Sequence, residues 1–142
     1  MKSVQSEVAV RESWRIRGLY EITAEDYVTG RKFDDLVAFS FYPIDLHNAS
    51  GVQPQQLDEG TFASVPLRAL IPAGSRHLLV AGRCLSSDQL ANSALRVQAT
   101  CMATGQAAGA VAALAVHKNT TPTDVPLDEL RNMLESHGAI LR

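Results

Sequence analysis

An α/β architecture follows from three observations along the chain. The first half carries short stretches of alternating or continuous apolar residues, Leu78 to Ala81 is apolar throughout, and two helical patterns close the sequence. Together they predict a mixed or antiparallel sheet, then one strand buried on both faces, then a helical end. The expected division is 1–75 for the sheet region and 76–142 for the last strand and helices.

Val8, Val10, Trp14 and Ile16 alternate with polar neighbours, which predicts one or two strands within residues 1–22. Thr23 opens a helix. Thr23-Ala-Glu-Asp26 is a loose capping box, with Asp in place of the usual Glu or Gln, and Gly30 is the stop signal. Asp35 to Phe41 reads as a strand that Pro43 ends. Residues 48–60 form a polar, hairpin-like excursion before a second strand, Thr61 to Leu67. Arg68 to Ile71 is a short extended or turn segment, and Pro72-Ala-Gly74 is turn chemistry. After the Leu78 strand come a Gly82-Arg83 turn, a polar loop and a small-residue helix beginning near Arg96 or Val97. Beyond a polar connector, Leu127, Leu130, Met133 and Leu134 share one stripe of a helix from Pro126 to His137, with Gly138 at its end.

Composition excludes several classes of function. The 142 residues suit one ordinary domain, and a net charge of −2 without any Lys/Arg run gives no footprint for nucleic acid. Cys84 and Cys101 lack framework or metal-ligand spacing, so neither a disulfide nor a metal centre is expected, and a reduced, cytoplasmic protein is the default. Residues 1–10 have no continuous apolar stretch for a secretory signal. Val97 to Val116 is twenty residues without a charge and contains Gly105-Gln-Ala-Ala-Gly109, long enough to span a bilayer. Against a membrane role, Gln98, Thr100, Thr104 and Gln106 are polar, and Ala and Gly contribute little transfer free energy. Close packing of backbones or of a flat ligand is the expected use of the small side chains.

Strand, Gly turn and helix in this order form a nucleotide-cofactor signature, because the strand's carboxyl edge and the helix's unpaired N–H groups both face a ligand. Seven motifs in sequence then carry a family resemblance: Arg11-Glu-Ser-Trp-Arg-Ile-Arg-Gly18, Phe33-Asp-Asp-Leu-Val-Ala38, Tyr42-Pro-Ile-Asp-Leu-His47, Val65-Pro-Leu-Arg-Ala-Leu-Ile-Pro72, Leu79-Val-Ala-Gly-Arg-Cys84, Ala94-Leu-Arg96 and Gly105-Gln-Ala-Ala-Gly109. The chain resembles the C-terminal portion of bacterial FAD-dependent oxidoreductases of the glutathione-reductase-like superfamily. That resemblance implies a partial Rossmann-like FAD-binding fold, FAD as cofactor, and flavin-mediated hydride transfer with a small organic substrate. Such enzymes carry a GxGxxG turn for the FAD pyrophosphate, and this sequence has none. A fragment, a truncated gene model or one half of a split enzyme is therefore expected, with a complementary N-terminal half as partner and weak FAD binding by this chain alone. The alternative from a different class is a catalytically silent binding or assembly module.

The resemblance also implies site residues. Gly82, Arg83, Cys84, Leu85, Ser86, Ser93, Arg96 and Val97 fall on the flavin side. Arg83 stands where related flavoproteins often have an acidic ribitol ligand, so its charge favours phosphate instead. Arg96 and the helix N-terminus would face the flavin edge that becomes negative on reduction. The plain alternatives are an exposed Arg83 in a salt bridge and a surface Arg96. On the substrate side lie Tyr42, Asp45, His47 and Arg68. Asp45 and His47 share a face if the strand continues, so the carboxylate can fix the imidazole tautomer and His47 can move a proton, while Arg68 can anchor a carboxylate or orient the flavin. Equally open is a structural use: Asp45 and His47 capping the loop at 48–51, and Arg68 paired with an acidic neighbour. Neither cysteine is expected to be catalytic, and His77, His117 and His137 read as surface residues.

Overall fold

A computed structural model of the chain describes residues 11–12, 14–47, 51 and 54–141. Val8 and Val10, half of the first expected strand pattern, lie outside the described residues. Helix α1 (Ala24–Thr29) forms where the capping box predicts it. Thr23 Oγ1 accepts the Asp26 N–H at 3.1 Å and the Asp26 carboxylate accepts the Thr23 N–H at 3.0 Å, so the shorter acid still closes the box. Burial alone would push the Asp26 carboxyl up, but hydrogen bonds from the Thr23 backbone, Tyr20 and Arg31 outweigh it and hold it below its ordinary value. The helix stops at Gly30, whose φ of 62° is left-handed.

The sheet is two antiparallel strands, β1 (Leu36–Ser40) and β2 (Ala63–Pro66), each shorter than its apolar run. Phe39 pairs with Ser64 and Ser40 with Ala63, and an irregularity between Leu36 and Ala38 ends the regular register. All of β2 is buried, and a 3₁₀ turn (Leu67–Ala69) follows it directly. The polar excursion is pinned at its base, where Ile44 and Gln55 exchange both backbone hydrogen bonds at 3.0 and 2.9 Å.

Three expectations need correction. Residues 14–22 form no strand: Trp14 is 91% exposed, and the segment is held by the isolated bridges Gly18–Pro72 and Ile22–Ser87 and by scattered backbone bonds such as Leu19 N–H to Ile71 O at 2.9 Å, with no continuous ladder. Leu78 to Ala81 is neither a ladder strand nor buried on both faces: Leu78 is 52% exposed, the other three are half-buried, and among the described residues its one backbone bond to another segment is Val80 N–H to Leu70 O at 2.8 Å. An apolar pattern by itself secures neither burial nor a strand, which also requires a neighbour along its length. The only parallel pairing among the described residues is the Ile22–Ser87 bridge, so no parallel cofactor sheet is formed by them.

The third correction is helix α2 (Gln89–Leu95), which replaces much of the expected polar loop. Asp88 is its N-cap, with Oδ1 accepting the Ala91 N–H at 2.7 Å, and Ala91, Ala94 and Leu95 are buried on one face. The other oxygen, Oδ2, accepts the Ala24 N–H at 2.7 Å, so one carboxylate caps two helices.

Helix α3 (Gln98–Lys118) begins one residue past Val97 and ends at Asn119, which is left-handed at φ 52°. It buries Thr100, Thr104, Ala107, Val111, Leu114 and Ala115, a single stripe along its length. It packs on β1, on a 3₁₀ turn (Gly82–Cys84) and on helix α4 (Leu127–Ser136), which buries Leu130 and Leu134 as its pattern predicts. Among the described residues α3 alone is long and apolar enough to cross a membrane by length and composition; 33% of that window is buried inside the fold. One core draws on residues spread from Ile22 to Leu141, including Tyr27, Val65, Leu85, Leu95, Val111 and Leu130.

Candidate functional site

A surface cavity of about 400 Å³ is lined by Arg11, Tyr42, Asp45, His47, Arg83, Ser93, Arg96 and Val97. Its floor is built by fastening residues 42–47 to α2. The Asp45 N–H donates to Ser93 Oγ at 2.9 Å, and the Ser93 hydroxyl donates to Leu90 O at 2.7 Å. The Arg96 guanidinium donates to Asp45 O at 3.2 Å and lies 3.6 Å from Glu12. With its backbone N–H and carbonyl both held, Asp45 presents its carboxylate 3.3 Å from His47 Nε2, and that same nitrogen contacts the Arg11 guanidinium.

Behind the cavity runs a buried line of hydroxyls. Tyr27 OH donates to Tyr42 O at 2.7 Å and pairs with Ser40 Oγ at 2.9 Å, which pairs with Thr100 Oγ1 at 2.9 Å. Because Tyr27 has one proton and gives it to Tyr42, Ser40 must donate to Tyr27 and Thr100 to Ser40. Burial pushes the Tyr27 phenol up to about 12, against the opposing pull of its hydrogen bonds, so it stays protonated as a donor. Thr104 extends the seam: its hydroxyl donates to Thr100 O at 2.9 Å and accepts the Gly82 N–H at 3.1 Å. Tyr42, the first turn of α3 and Gly82 are thereby held in one register.

At the opposite wall, Val97 is the N-cap of α3 and offers no side-chain acceptor, so the first backbone N–H groups of a 21-residue helix are left uncapped by it beside Arg96. Gly82 needs its positive φ of 70°, and a side chain there would point toward Cys101 Sγ, 3.6 Å from the added carbon. Burial pushes the Cys101 thiol up.

The structure thus brings seven of the expected residues, Tyr42, Asp45, His47, Arg83, Ser93, Arg96 and Val97, to a single cavity. Others lie elsewhere. Leu85 is 0% exposed in the core, and Ser86 is 1% exposed with its backbone tied to Ile22 and Ala69. Cys84 is exposed, and its carbonyl accepts the Ile16 N–H at 2.9 Å. Arg68 takes the structural use left open by the sequence: its guanidinium grips both oxygens of Asp35 at 3.0 and 3.1 Å and lies over the Tyr20 ring, away from the cavity. That pairing raises its already high pKa further. Sequence reasoning gave no role to Arg11 or Glu12, although both stand in the first family-like motif; the Glu12 carboxylate lies 2.7 Å from Arg15 as well as near Arg96.

A carboxylate–imidazole pair facing arginines and a helix N-terminus across one cavity suits proton handling beside an electron-rich cofactor edge. The family model described as FAD dependent oxidoreductase matches residues 1–134, and the chain belongs to that family, whose cofactor is FAD. Comparisons with curated proteins and with solved structures each found no match. The donor set fits one part of FAD: guanidinium and backbone N–H groups at the α3 terminus match the ring edge that carries negative charge when reduced.

Proposed function

We propose that this chain supplies the flavin-edge and substrate-facing portion of a glutathione-reductase-like FAD-dependent oxidoreductase, working with a dinucleotide-binding segment that carries the GxGxxG this sequence lacks. One observation carries the reading: residues expected separately on the cofactor and substrate sides line the same cavity. When bound, FAD supplies a two-electron hydride acceptor or donor. Arg83, Arg96 and the backbone N–H groups after Val97 hold its electron-rich edge. His47 takes or returns a proton at Nε2, and Asp45 orients the ring and stabilises its protonated form, a contribution of about 10²–10⁴ in rate for a well-placed group. Leu85 and Ser86 act from the core, keeping the Gly82–Cys84 turn in place.

Flavin absorbance of the purified chain, alone and co-expressed with a GxGxxG-bearing segment encoded beside it, tests this. Stoichiometric FAD is expected only in the co-expressed form, with a lower flavin potential when Arg96→Gln is introduced. A yellow protein from the chain alone would overturn the requirement for a second segment. Co-expressed protein without flavin would overturn the assignment of this cavity to FAD.

A further inference from the structure

We propose that the substrate handled at this cavity is a small carboxylate and that Arg11 is its anchor, releasing His47 as it binds; this rests on the reading that His47 moves the proton. Two of the charged groups around the cavity are matched by opposite partners. Arg96 has Glu12 at 3.6 Å, and Asp45 has His47 at 3.3 Å. Among the described residues Arg11 has no carboxylate partner, and its guanidinium is set against His47 Nε2 instead.

That contact favours one arrangement of the ring. A guanidinium has only donors, so its contact with Nε2 is satisfied when that nitrogen is the unprotonated acceptor and the ring proton sits on Nδ1. The nitrogen that must accept a proton is then occupied by Arg11, and its 3.3 Å contact with the Asp45 carboxylate becomes a donated hydrogen bond once that nitrogen is protonated. A carboxylate is a stronger acceptor for guanidinium than a neutral imidazole, and its two oxygens match the planar fork. Arg11 is exposed and free of helix or strand constraints, so it can turn onto such a group at small cost. Turning it away exposes the Nε2 lone pair to the substrate and leaves the imidazole, once protonated, to pair with Asp45. Recognition and activation are joined in one side chain. The one guanidinium of Arg11, without a carboxylate partner among the described residues, matches a monoanionic carboxylate better than a phosphate, which carries about 1.5 to 2 negative charges at neutral pH.

The test titrates the full chain with propionate, with propionamide as an uncharged probe of the same shape, and with inorganic phosphate, reading the His47 ring nitrogens by two-dimensional NMR. Propionate is expected to bind saturably and to change the His47 Nε2 signal, propionamide to bind at least about tenfold more weakly, and Arg11→Gln to lose binding by a similar factor. Arg11→Lys should keep part of the affinity with a poorer geometry, which separates loss of the anchor from loss of fold. Absent propionate binding in the millimolar range, equal binding of propionamide, unchanged His47 signals at saturation, or binding retained in Arg11→Gln each overturns the proposal. Tighter binding of phosphate than of propionate overturns the carboxylate class. None of these readouts needs flavin, so failure of the FAD assignment appears separately, in the absorbance of the co-expressed protein.

Discussion

Replacing Tyr27 by Phe removes one oxygen from the hydroxyl seam and leaves the ring, which is 1% exposed, in place. The Tyr42 carbonyl loses the donor that lies 2.7 Å from it, and Ser40 loses the acceptor of its proton at 2.9 Å while keeping Thr100. Ser40 can turn to donate to Thr100, so the uncompensated loss falls mainly on the Tyr42 carbonyl, a cost of about 1–3 kcal/mol. Taking about 2 kcal/mol and roughly 4 °C per kcal/mol for a chain of this length, the melting temperature should fall by roughly 8 °C. Urea unfolding with an unchanged m value is the assay. The directional chain makes a sharper demand: Thr100→Val should cost less in the Tyr27→Phe background than in the native protein, with a coupling of about 0.5–1 kcal/mol passed through Ser40. A single-mutant cost under about 0.5 kcal/mol, or strictly additive costs, would refute the seam as described.

Asp88→Ala removes the cap of α2 and the partner of the Ala24 N–H together, and should destabilise by about 2–3 kcal/mol in urea, more than a single N-cap deletion. Gly18→Ala places a carbon 2.7 Å from Ser86 Cβ and 3.1 Å from Arg68 O, so a loss of about 1–3 kcal/mol is expected. Gly105→Ala meets nothing within 4 Å on a helix and should gain about 0.5–1 kcal/mol, measured by the same unfolding curves. Because the Asp26 carboxyl is depressed on folding, its stabilisation is fully present above the unfolded carboxylate value and is lost as pH falls through the folded one. Stability should therefore decline below about pH 4, and Asp26→Asn should flatten that acid limb in pH-dependent urea midpoints.

Local signals carried much of this structure. Thr23, Asp26 and Gly30 wrote both ends of α1, and the Leu130–Leu134 stripe wrote α4, because caps and helical period act over a few residues. Leu78 to Ala81 misled twice, since four apolar residues suggest burial and pairing, while the fold leaves Leu78 52% exposed and gives the segment no neighbouring strand. Helix α2 was hidden by its polar letters; Asp88 followed three residues later by Ala91, then Ala94 and Leu95, was the available signal. At the cavity, the Asp45–His47 spacing was legible as a pair, and Arg96 and Val97 as a helix start. Arg11 was not, because its meeting with His47 is a contact between positions 36 apart that no periodicity encodes. Arg68 offered two uses to the sequence, and only the fold, by bringing Asp35 beside it, chose the structural one.

The double duty of Asp88 sets an order of events during synthesis. Six residues are too few for a helix to persist in water, and α1 gains its Ala24 cap from a carboxylate 64 positions later. At about 5–20 residues per second, Asp88 leaves the ribosome several seconds after Ala24. Through that interval Ile22 and Tyr27, both almost fully buried in the finished core, can dock only against the part of the core that precedes Asp88, chiefly β1 and β2. The nascent chain thus passes through a window in which its first half holds an incomplete core with an uncapped α1, and a substitution that weakens the Asp88 clasp lengthens that window before it alters any finished molecule.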